Sequence, residues 1–242
     1  MENKITLNGK LILKGKIITE TGLHIGGIAE TLKIGGSDNP VIRDKNGRVF
    51  IPGSSLKGKI RSLLEVKDGK YKLNKGEAQP CNCGDCPICM LFGPHKSENI
   101  KEPARAIVRD AYLNKEKPVH EYLEIKPENV IDRVKGTAQH PRFIERVVAG
   151  SEFDYEVVFN IYDENRDKEL IKKFIEGIKL LEDDYLGGSG SRGYGKIKFE
   201  KLTAIYRPKG YYEGIKNEIE LATEKDDNNL DELIKLIDKI NF

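Results

Sequence analysis

Tryptophan is absent from the sequence, glutamine occurs only twice, and no apolar run approaches the roughly 18 residues that a membrane-spanning helix needs. No signal-peptide pattern is found either, so we expect a cytoplasmic protein. Scarce glutamine beside abundant lysine, glutamate and isoleucine leans towards a thermophilic source. An excess of charge is also missing, because 41 Lys and Arg residues against 39 Asp and Glu residues leave a net charge of +2. Bulk charge therefore does not indicate nucleic-acid binding, and any basic surface must come from local clustering.

Cysteine is confined to one short segment. Its four residues follow the pattern C-x-C-x2-C-x2-C and are Cys81, Cys83, Cys86 and Cys89. Disulfides within so short a span would be strained, and a cytoplasmic chain is kept reduced, so metal binding fits better. The spacing favours a tetrahedral, structural Zn2+ site, with His95 as an alternative ligand to one of the sulfurs. An iron-sulfur cluster is the competing interpretation.

Hydrophobic periodicity predicts six regular elements and an amphipathic C-terminal stretch. Strand patterns cover 11–17, with a start near Ile5, and 105–113, 153–161 and 197–199; helix patterns cover 56–64 and 170–181. The order strand-helix-strand-strand-helix-strand is that of the ferredoxin-like (RRM-like) α+β fold, which leaves one face of an antiparallel sheet free for RNA or for insertions. We find no linker. We therefore expect a single elaborated domain over 1–242, with insertions at 21–53, 67–103 and 118–150.

A glycine-rich loop separates the second helix pattern from the last strand pattern. Residues 186–199 contain five glycines and Arg192. Glycines let successive backbone N–H groups form an anion-binding concavity, to which Arg192 adds a charged fork for phosphate. A hairpin turn or a flexible connector is the alternative.

The first helix pattern starts with a basic segment, PGSSLKGKIR (52–61). Ser54 and Ser55 are predicted to cap the helix, and the unpaired N–H groups of its first turn favour an anion. Lys57 and Arg61 share one helix face, while Lys59 lies on another side. Because no acidic residue is present in this turn, a phosphate would fit there. A solvated basic face is the alternative, and the order of a Walker motif is missing.

Two further residues and one segment can each be interpreted in two ways. Asp38, in the turn sequence Ser-Asp-Asn-Pro, is either a carboxylate with a chemical role or a turn residue that bonds its own backbone. His24, beside two glycines, is either a loop residue or an RNA-contacting or acid-base histidine. The 118–150 insertion mixes apolar residues with cations such as Arg133 and Arg142. It is either an arm that lies along a nucleic-acid backbone or a surface hairpin of mixed charge.

Six segments together resemble the repeated backbone subunit of the type III-A CRISPR effector, the Csm complex, which belongs to the RAMP superfamily. They are TGLHIGG (21–27), SDNPVIRD (37–44), IPGSSLKGK (51–59), NVIDR (129–133), PRFIER (141–146) and DYLGGSGSRGYGK (184–196). The resemblance extends from near residue 16 to near residue 206. Their combination is far more specific than any one segment.

The resemblance implies roles for particular residues. Asp38 matches the family's catalytic aspartate, and His24, Lys59 and Arg133 match positions implicated in crRNA binding. Insertion 118–150 matches the family's thumb, which intercalates into the guide-target duplex and flips out a nucleotide. Insertion 67–103 matches a variable lid, and the cysteines in it are not carried over from the family. Further RNA contacts rest on local charge and helix-start chemistry: Ser54, Ser55, Lys57, Arg61, Arg142 and Arg192.

The function that the resemblance implies is metal-dependent RNA cleavage within a ribonucleoprotein filament. Copies of the chain would stack head to tail along the crRNA beside other Csm subunits, including the RAMP subunit that caps the 5' handle. Each copy would cut the complementary target RNA once, with Asp38 and Mg2+ or another divalent ion. The alternatives are a non-catalytic RNA-binding subunit, a type III-B backbone subunit, and an endoribonuclease that processes precursor crRNA with a base such as His24.

Overall fold

The structure is a computed structural model that describes residues 4–27, 39–114, 118–223 and 229–240. Within these ranges the strands are β1 (Gly9–Thr19), β2 (Phe50–Ile51), β3 (Lys72–Asn74), β4 (Glu77–Gln79), β5 (Ala106–Val108), β6 (Ala111–Asn114), β7 (Leu123–Ile131), β8 (Ala138–Val147), β9 (Glu152–Ile161), β10 (Ile197–Pro208) and β11 (Ile219–Ala222). The α-helices are α1 (Gly53–Lys67), α2 (Pro87–Phe92), α3 (Glu164–Glu182), α4 (Lys209–Tyr212) and α5 (Leu230–Lys239). The fold is mixed α/β with antiparallel sheets.

The central sheet has the strand order β11-β10-β1-β9-β6-β2, and β5 also pairs with β9. Strand β1 lies at its centre, antiparallel to both β10 and β9. On β9, alternate side chains from Phe153 to Ile161 are at most 2% exposed. The strict period of two that the sequence predicts for this strand is therefore confirmed, and it directs one face of the sheet into the core.

Helix α3 covers this buried face. Its N-cap is Asp163, whose side chain accepts the N–H of Arg166 at 2.9 Å. Phe174, in the middle of the helix, makes edge contacts with Phe159 of the sheet, with ring centroids 5.1 Å apart. Burying an aromatic side chain of this kind contributes about 1.5–3 kcal/mol.

Helix α1 packs beside α3. The two helices approach closely at Gly177, where a Cβ atom would lie 2.6 Å from Cγ2 of Ile60. The amphipathic tail is confirmed as helix α5, which packs against α3 and β10 and begins with a capping box between Asn229 and Glu232.

Two strand predictions need correction. The first strand begins at Gly9 and not near Ile5. The strand predicted over 105–113 is two strands, β5 and β6, because one extra residue interrupts the pairing: Val108 lies opposite Val157, but Tyr112 lies opposite Asp154.

The predicted insertions contain structure of their own. Residues 118–150 form an antiparallel hairpin, β7–β8, which is a separate two-stranded sheet. Residues 67–103 contain the small β3–β4 hairpin and helix α2. We keep the names thumb for 118–150 and lid for 67–103.

Candidate nucleic-acid interface and metal centre

The four cysteines of the lid converge on one point. Cys86 is the N-cap of helix α2, and its sulfur accepts the Cys89 N–H at 3.4 Å. The Cys83 sulfur accepts the Cys86 N–H at 3.3 Å in the same way. Gly84 turns the chain between them with φ of +81°, and a Cβ there would lie only 2.1 Å from the Asn99 carbonyl oxygen. The knuckle therefore depends on a glycine at this position.

The sulfur-sulfur distances fit a single tetrahedral ion. The Sγ atoms of Cys81 and Cys83 are 3.6 Å apart, those of Cys81 and Cys86 3.8 Å, and those of Cys83 and Cys89 3.9 Å. Zinc-sulfur bonds of about 2.3 Å give a tetrahedron with edges of about 3.8 Å. In a [4Fe-4S] cluster each cysteine binds a different iron, and in a [2Fe-2S] cluster the four cysteines are divided between two irons, so in neither do all four sulfurs surround one centre. The arrangement therefore matches one four-coordinate ion.

His95 is a correction to the predicted ligand set. Among the described residues, the metal-ligand atoms that gather here belong to the four cysteines. The His95 side chain is exposed, and the residue contacts the knuckle through its backbone N–H, which donates to the Cys81 carbonyl at 3.2 Å. Four sulfurs are enough for a tetrahedral site without an imidazole.

The thiols differ in acidity. Burial raises the pKa of Cys86 and of Cys89. At Cys83, burial acts in the same direction, but hydrogen bonds from the backbone N–H groups of Asp85 and Cys86 outweigh it and lower the pKa. An ion that binds here displaces protons from the two buried thiols.

Helix α1 brings some of the predicted basic residues to the surface. Lys59 is partly exposed, with its Nζ 2.8 Å from Asp184 and 3.9 Å above the Tyr185 ring. Burial, and next the charge of Arg61, lower the pKa of Lys57. The start of this helix thus lies against residues 184–185, immediately before the glycine-rich loop.

The predicted helix cap is wrong. Pro52 occupies the N-cap position, with no side-chain cap, and Ser54 and Ser55 lie inside the first turn. The Gly53 N–H donates to Oδ1 of Asp110 at 2.8 Å, so a distant carboxylate supplies the acid that the turn itself lacks. Ser54 remains exposed at the helix start.

Arg61 is also a correction, because its guanidinium is committed to the protein. It donates to Glu65, to the Gly93 carbonyl and to the Cys81 carbonyl, at 2.8–2.9 Å. Its side chain is 14% exposed. Arg61 therefore holds the lid against helix α1 and does not fit an RNA contact.

The glycine-rich loop uses its amides to bind another segment of the chain. The Gly188 N–H donates to the His24 carbonyl at 2.9 Å, and the Gly195 N–H donates to the Gly22 carbonyl at 3.0 Å. Gly187 has φ of +79°, and a Cβ there would lie 2.3 Å from the His24 oxygen. Two of the amides expected to line an open anion-binding concavity are therefore occupied by the carbonyls of residues 22 and 24. We call this contact between the loop and residues 22–24 the seat.

His24 joins this seat to the base of the thumb. Its Nδ1 lies 2.7 Å from the Glu145 carbonyl oxygen. The Glu145 carboxylate accepts the Val41 N–H at 2.8 Å and contacts Arg43 at 2.6 Å. Asp38 lies outside the described residues, but the segments on either side of 28–38 are paired, since the Gly27 N–H donates to the Pro40 carbonyl at 3.0 Å.

The thumb carries the remaining predicted cations. Arg133 is exposed near the end of the hairpin, and Arg142 is exposed on β8 opposite Glu128. Arg192, from the glycine-rich loop, lies 3.1 Å from the Glu128 carboxylate. The structure thus places Arg192 against Glu128, the residue that is paired with Arg142 across the hairpin.

Tyr194 packs against two cations of the thumb, a role that was not predicted from the sequence. It is 1% exposed, and its ring lies beneath Lys126 and Arg146, at 4.5 and 4.8 Å from the ring centroid. Burial, and next the Glu128 carboxylate, raise its pKa to about 12. Its place between two glycines of the loop was the available signal, since an aromatic residue there has to pack against something.

Comparison with known proteins places these features in a class. The model of the RAMP superfamily matches residues 16–198. The chain therefore belongs to the RAMP superfamily. Among the described residues, no helix is long and apolar enough to cross a membrane.

Curated relatives narrow the class. The chain is 64% identical over 245 residues to the CRISPR system Cms endoribonuclease Csm3 of Methanocaldococcus jannaschii, covering 99% of this chain and 97% of that protein. It is 43% identical to the Csm3 of Methanothermobacter thermautotrophicus, covering 84% of this chain and 89% of the relative. Within the superfamily, the chain belongs to the Csm3 endoribonuclease family.

Solved structures agree with this assignment. The crystal structure of a Csm3-Csm4 subcomplex of the type III-A CRISPR-Cas interference complex contains a chain that is 52% identical, with a TM-score of 0.67 and coverage of 98% of this chain and 99% of that chain. The crystal structure of Methanopyrus kandleri Csm3 has a TM-score of 0.62 at 22% identity, covers 97% of each chain, and supports the fold alone.

Proposed function

We propose that this chain is the crRNA-binding backbone subunit of a type III-A CRISPR interference complex, and that it cleaves bound target RNA at regular intervals. Its relatives carry the name endoribonuclease, and a close structural neighbour was solved as a Csm3-Csm4 subcomplex. The proposed partners are crRNA, complementary target RNA, further copies of the chain in a head-to-tail filament, and other Csm subunits, including the one that caps the 5' handle.

One observation carries this proposal. A continuous series of contacts joins Lys59 to Tyr185, the loop that follows Tyr185 to His24, and His24 to Glu145 at the base of the thumb. The Glu145 N–H in turn donates to the carbonyl of Asn39, the residue after Asp38, at 3.2 Å. The helix start, the glycine-rich loop and the thumb therefore form one surface next to the segment that carries Asp38.

The proposed roles of the RNA-binding and catalytic residues follow from the chemistry of their side chains. Lys59, Arg133, Arg142 and Arg192 would contact RNA phosphates, with His24, Lys57, Ser54 and Ser55 beside them. Asp38 would hold Mg2+ or another divalent ion, which offsets charge that develops on the phosphoryl oxygens. Alternatively, Asp38 would help to deprotonate the 2'-OH, whose oxygen attacks the adjacent phosphorus while the 5'-oxygen of the next nucleotide leaves and takes up a proton. A nucleotide flipped out by the thumb leaves A-form geometry, which permits that in-line attack.

The same proposal includes a ferredoxin-like core within a single elaborated domain over 1–242. Its support is the strand order β10-β1-β9-β5/β6, with α1 following β1 in the chain and α3 connecting β9 to β10. The 21–53, 67–103 and 118–150 segments would then be insertions in that core: catalytic loop, lid and thumb.

The lid is proposed to hold a structural Zn2+ ion through its four cysteines. The support is that three of the sulfur-sulfur distances are 3.6–3.9 Å and that all four sulfurs lie within 4.8 Å of one another, a complete set that leaves no coordination position for substrate. The ion would cross-link the lid by holding its four cysteines together. Cys81, Cys83, Cys86 and Cys89 would hold it.

The test of catalysis is Asp38→Ala in a reconstituted effector with complementary target RNA, with and without Mg2+. We expect at least a hundredfold slower cleavage with crRNA and target binding unchanged. The matched control is Asp44→Asn, because the Asp44 carboxylate is occupied by its own turn, accepting from Asn46 and Arg48 at 2.7–2.9 Å. Cleavage should survive that change.

Two outcomes would contradict the assignment. If Asp38→Ala lost target binding as well, its role would be structural and the chain a non-catalytic subunit. If the isolated chain cut repeat RNA without metal, and His24→Ala abolished this cut, the precursor-processing function would be favoured instead. The type III-B alternative predicts assembly with the subunits of that complex and not with Csm4.

A further inference from the structure

Arg61 and Glu65 form an ion pair beneath the cysteine knuckle of the lid. They lie four residues apart on helix α1, and their side chains are 14% and 7% exposed. An ion pair this buried is stable only when its remaining hydrogen-bonding groups are also satisfied. The partners that satisfy it are backbone groups of the lid.

The pair binds both ends of the knuckle. Arg61 donates from Nη2 to the Cys81 carbonyl at 2.8 Å and from Nη1 to the Gly93 carbonyl at 2.9 Å. Glu65 accepts the Cys81 N–H on Oε1 at 2.9 Å, the same oxygen that receives Nε of Arg61. Both polar groups of the first ligand residue are therefore held by α1, and Gly93, just after α2, is held as well.

Only arginine at position 61 suits this arrangement. A planar guanidinium directs three N–H groups to three acceptors at once, whereas a lysine ammonium is a compact charge on a flexible stem. The backbone of the first cysteine is thus held by a planar fork on helix α1. Groups that orient metal ligands in this way commonly change metal affinity about 10- to 100-fold when they are replaced.

We propose that Arg61 and Glu65 are positioning residues of the metal site, and that an ion bound in the lid orders helix α1 through them. This inference rests on the proposed zinc site. Coupling free energy is reciprocal, so a pair that strengthens metal binding also transmits the effect of metal to the helix. The first turns of α1 carry Lys57 and Lys59, so the lid would set the position of proposed RNA contacts although it does not touch RNA itself.

A second contact supports coupling of the lid to the core. Phe92, in helix α2 of the lid, stacks in a tilted arrangement against Phe174 of α3, with ring centroids 5.8 Å apart. Gly177, one turn further along α3, packs closely against α1, where a Cβ would lie 2.6 Å from Cγ2 of Ile60. The lid therefore reaches α1 directly through the ion pair and indirectly through α3.

The first experiment compares zinc affinity of the full chain by competition with a chromogenic chelator. Arg61→Lys and Glu65→Gln should each weaken zinc binding about 10-fold or more. The control is Asp167→Asn, whose carboxylate pairs with buried Arg105 at 3.0 Å and, among the hydrogen bonds described for it, contacts no cysteine. It should lower stability but leave zinc affinity within about twofold of wild type. Equal affinity in all four proteins would overturn the positioning role.

The second experiment needs no variant. Hydrogen-deuterium exchange of the wild-type chain with and without zinc should show slower exchange at 56–65 as well as in the lid when zinc is bound. Protection confined to the lid would overturn the coupling to α1 while leaving the metal site intact. A wild-type protein that binds no zinc would refute the zinc site itself, which is a separate result.

Discussion

The lid contributes side chains to the core, whereas the thumb exposes several of its large apolar side chains to solvent. Ile88 and Leu91 of the lid are at most 1% exposed. In the thumb, Ile125 is 56% and Val134 95% exposed. Exposed apolar residues clustered on one hairpin indicate a surface that meets a partner. The buried side chains of the lid therefore find their partners within the chain, whereas the exposed side chains of the thumb are available to another molecule.

The lid and the thumb also differ in the ion pairs that join them to the rest of the chain. The lid is held by the buried Arg61–Glu65 pair and its three backbone contacts. The thumb is held by the Arg192–Glu128 pair, in which the arginine side chain is 56% exposed, and at its base by the Arg43–Glu145 pair, in which the arginine side chain is 32% exposed. Exposed pairs contribute about 0–1 kcal/mol, while breaking a buried one costs several times more. Changes in the lid should therefore cost stability, and changes in the thumb should cost binding.

The largest effect is expected for Cys86→Ser. Loss of one ligand should reduce bound zinc from about one ion per chain towards none. Metal at about 100 times its Kd stabilises a fold by about 2.7 kcal/mol, so its loss should lower Tm by about 5–10 °C for a chain of this size. Metal analysis and thermal unfolding measure the two effects.

The thumb supplies the control for this change. Phe143 lies on β8 and is 48% exposed. Phe143→Ser should change stability by no more than about 0.5 kcal/mol, as is usual for surface positions. A similar loss of Tm in Cys86→Ser and Phe143→Ser would show that the lid and the thumb contribute equally to stability, against the difference proposed here.

Much of this architecture could be predicted from local pattern. The alternation along β9, the helical period of α3 and the cysteine spacing each determine a structure within a few residues of sequence. The thumb hairpin also followed from its composition. These features depend on neighbours in the chain, which periodicity can detect.

The wrong predictions for Arg61 and for the start of helix α1 have a common cause, because both roles depend on residues that are distant in the sequence. Arg61 looked like part of a basic helix face until the Cys81 and Gly93 carbonyls of the lid were placed against it. The sequence places no acid in the first turn of α1, but Asp110 supplies one from the link between β5 and β6. Roles of this kind require tertiary contacts, so spacing alone could not reveal them.

A smaller, pH-dependent effect follows from the buried thiols. Burial raises the pKa of Cys86 and Cys89, so both are protonated at neutral pH without metal, and protons compete with the ion. Zinc affinity should therefore fall as pH falls, by more than about tenfold between pH 8 and pH 5. Thermal unfolding with and without zinc across this range measures it. The zinc-dependent gain in Tm should shrink on acidification in wild type and be absent at every pH in Cys86→Ser; a gain that grew at low pH would contradict thiolate ligation.

The smallest effect is expected at the end of the thumb. Arg133 is exposed, and its Nη1 contacts only the nearby Ile131 carbonyl at 2.9 Å among the hydrogen bonds described for its side chain. Arg133→Ala should leave Tm unchanged but weaken crRNA binding, and it should reduce the slope of log affinity against log salt by about 0.7, the value for one single-stranded phosphate contact. The lid offers the matched control in Lys72, an exposed cation on the β3–β4 hairpin, whose replacement by alanine should leave the slope unchanged. If Lys72→Ala flattened the slope as much as Arg133→Ala, the lid would also contact RNA, and the thumb would lose its special place in binding.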